Sequence, residues 1–355
     1  VADLFPGMQI EGCYQFRVTR NSNLYVDDEE VDDLIRALEG QLEASRYGAA
    51  VRLEISDKCP EDLIEFLLDH LNLDRTDLST VNGPVNLNRL ATICKRSDRP
   101  ELNYAPFTPG LPKELRTGQS IFSVLRKKDL LLQHPYQSFS PVVDFVGTAA
   151  ADPNVLAIKQ TLYRTGSDSP IVEHLINAAR SGKEVTVVVE LMARFDEAEN
   201  ISSANRLKEA GAHVVYGLVG YKTHAKMLMV VRREQDGLNR YVHLSTGNYH
   251  PGTTRIYTDY GYLSSNKALG EDVHKIFMQL TSLTAATNLV KVLTAPCDLF
   301  DAMIEKIDRE IAHAKDGKQA RVIAKINALI EPQIIDKLYE ASSASVKIDL
   351  IVRGI

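Results

Sequence analysis

Hydrophobic positions along this chain recur with two periods, and the switch between them predicts strands alternating with helices. Tyr14–Thr19 and Ala49–Ile55 read as strands. Between them Val31, Leu34, Ile35, Leu38 and Leu42 fall at helical spacing and predict a helix over Asp27–Arg46. Its opening, Asp27-Asp28-Glu29-Glu30, suits the positive end of a helix dipole better than it suits a metal site. Pro60–Leu71 reads as a second amphipathic helix with proline near its start. Pro100, Pro106, Pro109, Gly110 and Pro112 punctuate a boundary over 100–118. Ser120–Leu132 then reads as a helix, running into an extended segment in which His134 precedes proline and reads as a turn histidine.

From Val155 the pattern becomes α/β. Val155–Leu162 is a strand, Pro170 opens a helix ended by Gly182, and Val185–Leu191 is an apolar strand long enough to be buried on both faces. A helix over Ile201–Ala210, a strand over Ala212–Tyr216 and a strand carrying Tyr221-Lys222-Thr223-His224-Ala225-Lys226 into Met227–Val231 follow. Arg240–Leu244 and Tyr257–Tyr262 are further strands, and Gly270–Leu283 and Leu299–Ala314 further helices. Strand, Pro170-opened helix and strand from Val185 recur about 160 residues later as Val322–Lys325, a Pro332-opened helix and a strand from Val346. This predicts a second copy of the α/β unit beginning near residue 295, with the counterpart of the His224 strand lying past the last residue.

Composition narrows the function. The chain has 355 residues, which suggests two or three domains, and a net charge of −6, which argues against a general basic surface for nucleic acid. A polyanionic partner would need cations gathered locally. Cys13, Cys59, Cys94 and Cys297 are widely spaced and read as reduced thiols of an intracellular protein. No apolar run is long enough to span a bilayer and no signal peptide opens the chain. The chain starts without Met and stops just after a strand-like run, so a piece of a longer protein is expected.

The candidate chemistry centres on His224 and Lys226. Side chains two apart on a strand share a face, so these two, with Lys222, are expected to project together. An imidazole beside an ammonium suits anion handling: histidine is a usable nucleophile near neutral pH and lysine steadies a phosphoryl oxygen. With nine histidines and many lysines in the chain, one accidental His-x-Lys is roughly an even bet, so its surroundings must decide. Arg164 and Arg194 follow strands at their carboxyl ends, where α/β sheets collect ligands and where guanidinium groups pair with phosphate, although each could equally form a surface ion pair. Gly247-Asn248 after a strand could present N–H groups and an amide to an anion, or be a plain turn. Tyr257 could stack on a base, or pack in the core. Asp259, two residues on, could orient an imidazole.

These residues stand in stretches that together resemble a known family. Asp152-Pro-Asn-Val-Leu-Ala-Ile-Lys-Gln-Thr-Leu-Tyr-Arg164-Thr, Val-Val-Val-Glu-Leu-Met-Ala-Arg194-Phe-Asp-Glu, Tyr-Lys-Thr-His224-Ala-Lys and His243-Leu-Ser-Thr-Gly-Asn-Tyr-His-Pro-Gly-Thr-Thr-Arg-Ile-Tyr257-Thr-Asp are similar to polyphosphate kinases of the bacterial, phospholipase-D-like type. The resemblance covers essentially the whole chain and is most specific from 130 to 285. It implies an α+β head domain over 1–112, a phospholipase-D-like catalytic α/β domain over 113–294, and the truncated start of a second similar one over 295–355.

The resemblance implies that His224 is a phosphohistidine nucleophile and Lys226 its partner. Arg164 and Arg194 would hold phosphate and its Mg²⁺, Tyr257 would meet the nucleotide, and His243 would be structural, with Asn248 and Asp259 in support. Arginine offers no ligand lone pair, so the magnesium is expected to be held through phosphate or water. ATP or ADP and inorganic polyphosphate are the implied partners. A homodimer or homotetramer in the cytoplasm is implied too, with peripheral membrane association left open. Val231 stands where the general phospholipase D pattern wants Asp, which weighs against a phosphodiesterase. The family's amino-terminal nucleotide-binding Asn, its second His-x-Lys and its later Arg are absent, so the isolated chain is expected to be inactive. A phosphodiesterase or nuclease, and a non-catalytic polyphosphate-binding fragment, are the rival readings.

Overall fold

The computed structural model describes residues 7, 9–21, 48–96, 98–116, 118–164, 166, 168–191, 193, 196–217, 221–282 and 285–354. The helix expected over Asp27–Arg46, with its acidic opening, lies outside them, and so does Arg194. The chain divides into two compact units. One runs to Gly270 and includes Phe277–Thr284; the other joins Glu271–Ile276 to Ala285–Ile355.

The first sheet is small. β1 (Phe16–Arg20) pairs antiparallel with β2 (Ala50–Ser56), which pairs parallel with β3 (Leu78–Val81). Helix α1 (Glu61–Leu71) follows Pro60, carries Glu61 and Asp62 in its first turn, and stops at Asn72 in the left-handed region. Its Ile64 and Leu68, one turn apart, pack with Leu53, Ile55 and Cys59. This is the α+β unit that the alternating pattern predicts. A short helix α2 (Ala91–Arg96) comes before the proline-rich boundary.

The stretch after that boundary differs from expectation. Helix α3 spans only Ile121–Leu125, and Leu130–His134 is a strand, β4, with buried Leu130, Leu132 and His134 alternating with exposed Leu131 and Gln133. The run of three leucines conceals that period of two. His134 is therefore a buried strand-end residue rather than a turn histidine; its Nδ1–H donates to the Gln137 carbonyl at 2.8 Å.

The large sheet has seven strands. Helix α4 (Ser140–Ala151) leads into β5 (Val155–Leu162), α5 (Pro170–Arg180), β6 (Glu184–Val189), α6 (Glu197–Glu209) and β7 (His213–Val215), whose three strands run parallel. The chain then reverses. β8 (Lys226–Glu234), β9 (Gly237–Ser245) and β10 (Asp259–Ser264) add antiparallel strands, and the order is β4-β10-β9-β8-β5-β6-β7. The sheet is thus mixed, not wholly parallel. Val185 through Val189 are all buried, as the continuous apolar run requires. Phe145, Val146, Ile171, Leu175, Ile201 and Leu207 from the three helices pack with Ile158, Leu162, Leu228 and Val230 from the strands.

Helix α7 (Lys267–Ser282) is followed by α8 (Leu299–Lys315), β11 (Arg321–Ala328), α9 (Pro332–Ser343) and β12 (Lys347–Gly354). β11 and β12 are parallel, so β11-α9-β12 repeats the form of β5-α5-β6. Even the turn recurs. Gly182 (φ 84°) leads to a Lys183 N–H bond to the Ala178 carbonyl, and Ser345 (φ 71°) to a Val346 N–H bond to that of Ala341.

Candidate active site

Topology brings the candidates to one edge of the seven-stranded sheet. β5 and β8 are antiparallel with Gln160 opposite Leu228, so the end of β5 and the start of β8 meet there. The end of β6 lies at the same edge because it runs parallel to β5. The end of β9 and the start of β10 join it, since Ser245 faces both Lys226 and Gly261. Arg164, Glu190, His224, Lys226, Asn248 and Asp259 are therefore neighbours in the fold although far apart in sequence.

His224 does not lie in the strand. β8 begins at Lys226, because the Thr161 hydroxyl takes over the bonding that would extend the β5–β8 ladder. It donates to the Ala225 carbonyl at 2.7 Å and accepts the Met227 N–H at 3.0 Å. Strand alternation therefore does not set the three cationic positions: Lys222 and His224 are exposed, and Lys226 is buried. Glu190 fixes the other flank of the segment, its carboxylate accepting the Thr223 N–H at 2.7 Å. Asn200, fully buried, donates to the carbonyls of both Tyr163 and Glu190 at 2.8 Å, tying the ends of β5 and β6 together.

The Tyr163 ring contacts both candidate groups. The His224 imidazole meets it edge-on with centroids 4.8 Å apart and an interplanar angle of 84°. The Lys226 ammonium lies 4.6 Å from the ring centroid and donates to the His224 carbonyl at 2.5 Å. Burial pushes the Lys226 amine down to about 7; the Arg164 charge deepens that fall and the Asp259 carboxylate opposes it. Partial burial first, then the charges of Lys226 and Arg164, lower the His224 pKa, which keeps its imidazole neutral and its lone pair available at neutral pH. Arg164 pairs with Asp196 at 3.1 Å, the ion pair that its sequence neighbourhood allows, and stays half-exposed beside Tyr163.

The supporting residues divide. Asp259 accepts the Thr246 hydroxyl at 2.9 Å, a turn-fixing contact rather than a bond to an imidazole. The Asn248 side-chain carbonyl oxygen is buried without a partner among the described residues; only the amide NH2 of that side chain could donate to an anion. Tyr257 precedes β10, which starts at Asp259, and is 45 % exposed after the turn over Thr253–Arg255. His243 is fully buried, bonded through Nδ1 to the Tyr249 hydroxyl at 2.9 Å, and desolvation pushes its pKa down to about 3. Gly261 lies between it and His134: a Cβ there would stand 2.8 Å from the His243 Nε2 and 3.5 Å from that of His134. Sequence reasoning missed Tyr163, Thr161, Glu190 and Asn200. Only Glu190, a charge closing an apolar strand, carried a signal of its own.

Among the described residues no group of three or more His, Cys, Asp or Glu side chains could hold a metal ion, and no helix is long and apolar enough to cross a membrane. The cations at the edge, Lys226 and Arg164, fit an anion, while the carboxylates there are engaged, Glu190 with the Thr223 N–H, Asp196 with Arg164 and Asp259 with the Thr246 hydroxyl.

The sequence matches the polyphosphate kinase middle domain over 1–93, polyphosphate kinase C-terminal domain 1 over 120–286 and polyphosphate kinase C-terminal domain 2 over 292–355. It is 54 % identical over 352 residues to a polyphosphate kinase of Pseudomonas aeruginosa, covering 99 % of this chain and 51 % of that protein. A polyphosphate kinase of Neisseria meningitidis is 52 % identical over 354 residues, covering 100 % of this chain and 52 % of the relative. The crystal structure of polyphosphate kinase from Porphyromonas gingivalis superimposes with a TM-score of 0.82 at 30 % identity, over 100 % of this chain and 51 % of that one. The chain spans about half the length of the curated relatives it matches. On these matches, spread over the whole of its length, the chain belongs to the polyphosphate kinase family.

Proposed function

We propose that this chain carries the nucleophilic half of a polyphosphate kinase site, which moves the γ-phosphate of ATP reversibly onto the end of a polyphosphate chain through His224. The observation that carries the reading is an imidazole next to a buried lysine and an arginine at one sheet edge, and the lowered imidazole pKa agrees with it. The imidazole lone pair attacks the γ-phosphorus; an N–P bond forms as the bond to the β-phosphate oxygen breaks, and ADP leaves. A terminal oxygen of the polyphosphate chain then attacks phosphorus and frees the imidazole. Run backwards, the same steps make ATP. Lys226 and Arg164, with Arg194, oppose the charge on the phosphoryl oxygens. Magnesium fits only as a counter-ion held by phosphate or water, and no step here depends on it. Tyr257 is suited to the nucleotide base by its exposure. Val231 in β8, in place of an aspartate, favours transfer to phosphate over phosphodiester hydrolysis.

The domain limits that go with this reading are 1–112, 113–294 and 295–355, and the assembly is a homodimer or homotetramer. Because the chain spans about half of its relatives, the isolated chain is proposed to be inactive and the test belongs in the full-length protein. ATP formation from ADP and polyphosphate should fall by about 10⁴-fold or more in His224→Ala. Near-normal turnover in that variant would contradict the reading.

A further inference from the structure

We infer that Tyr163 is a positioning residue for the nucleophile, acting through its ring and not its hydroxyl. The inference rests on the reading of His224 given above. Tyr163 is the residue whose side chain meets both His224 and Lys226 at close range: the imidazole packs edge-on at 4.8 Å and the ammonium lies 4.6 Å from the centroid. Both preferences are electrostatic. An aromatic ring is negative on its face and positive at its edge, so it favours a perpendicular neighbour and a cation over its face. One planar group therefore fixes where imidazole and ammonium stand relative to each other.

The ring is itself held. Tyr163 follows the last residue of β5, its carbonyl accepts the Asn200 amide at 2.8 Å, and Asn200 donates equally to the Glu190 carbonyl. Glu190 in turn accepts the Thr223 N–H, one residue before His224. The backbone on both sides of the contact is thus pinned, while the imidazole is exposed and precedes the β8 ladder. Without the ring, the main-chain contacts leave the imidazole free to turn about its own side-chain bonds. Partial burial is the largest cause of the lowered His224 pKa, and the packed Tyr163 ring is proposed to be part of what buries it. A phosphoryl acceptor that wanders by about 1 Å loses on the order of a hundredfold in rate.

The experiment compares wild type, Tyr163→Phe and Tyr163→Leu in the full-length protein with two readouts. One is the rate of acid-labile labelling of His224 by [γ-³²P]ATP at saturating nucleotide. The other is the pH dependence of diethyl pyrocarbonate modification of His224, read by peptide mass, which needs no activity. Phe should retain the wild-type rate and titration. Leu should slow labelling by roughly 10- to 100-fold with little change in the ATP concentration for half-saturation, and should move the His224 titration up towards the ordinary histidine value. The inference is overturned if Leu labels like wild type with an unshifted titration, or if Phe is as impaired as Leu; in either case labelling at His224 leaves the kinase reading intact. Should wild type itself carry no label, the kinase reading fails, and the titration in the three proteins alone decides whether the ring governs the imidazole.

Discussion

A lysine buried at the start of a strand makes its presence felt in the pH dependence of folding. Lys226 is 5 % exposed, and burial pushes its amine down to about 7 in the folded chain from 10.5 for an unperturbed lysine. Between those values the unfolded chain binds a proton that the folded chain does not, so this group makes stability rise with pH from about 7 to 10.5. Below 7 the folded state carries a buried ammonium and gains nothing from it. Lys226→Met removes that dependence. Urea unfolding of both proteins at pH 6.5 and 9.5, without anions, should show a smaller gain for the variant; equal gains would mean that Lys226 is charged throughout. The His-x-Lys spacing was legible in the sequence, but the burial that tunes the lysine was not. One neighbour in that buried setting is the Tyr163 ring, 4.6 Å from the ammonium and more than sixty positions away in sequence.

Among the elements, long apolar runs and proline-opened helices were read correctly because their signals are local. β5, α5 and β6 and their counterparts β11, α9 and β12 follow from such signals alone. β4 was not legible, since Leu130-Leu131-Leu132 satisfies helix and strand periods equally and only pairing with β10 decides. The start of β8 was misread because a side chain, the Thr161 hydroxyl, replaces ladder bonds that a backbone pattern assumes. The matching helix-to-strand turns make opposite predictions for substitution. Gly182 and Ser345 both adopt left-handed backbone, at φ 84° and 71°. Gly182→Ala should destabilise by about 1 kcal/mol, and Ser345→Gly should stabilise by a few tenths to about 1 kcal/mol, because the strain a Cβ meets there exceeds the entropy that glycine costs. Thermal unfolding measures both; a loss of stability in Ser345→Gly would contradict the shared-turn account.

For the molecule as a whole, what sequence patterns could not supply was adjacency. Reversal of direction after β7 sets β8 antiparallel against β5, and that single topological choice brings His224 to Arg164 across some sixty residues. The acidic net charge of −6 does not oppose a polyanion, because the cations sit together at this edge. The account as a whole stands on phosphorus becoming bonded to one imidazole. Its most direct test is to mix the full-length protein with [γ-³²P]ATP, quench in base and map the label by peptide mass. The predicted result is one acid-labile, base-stable phosphate on the peptide containing His224, absent from His224→Ala and chased into polyphosphate or ATP in wild type. Label that persists in His224→Ala, or that maps to another residue, would contradict it.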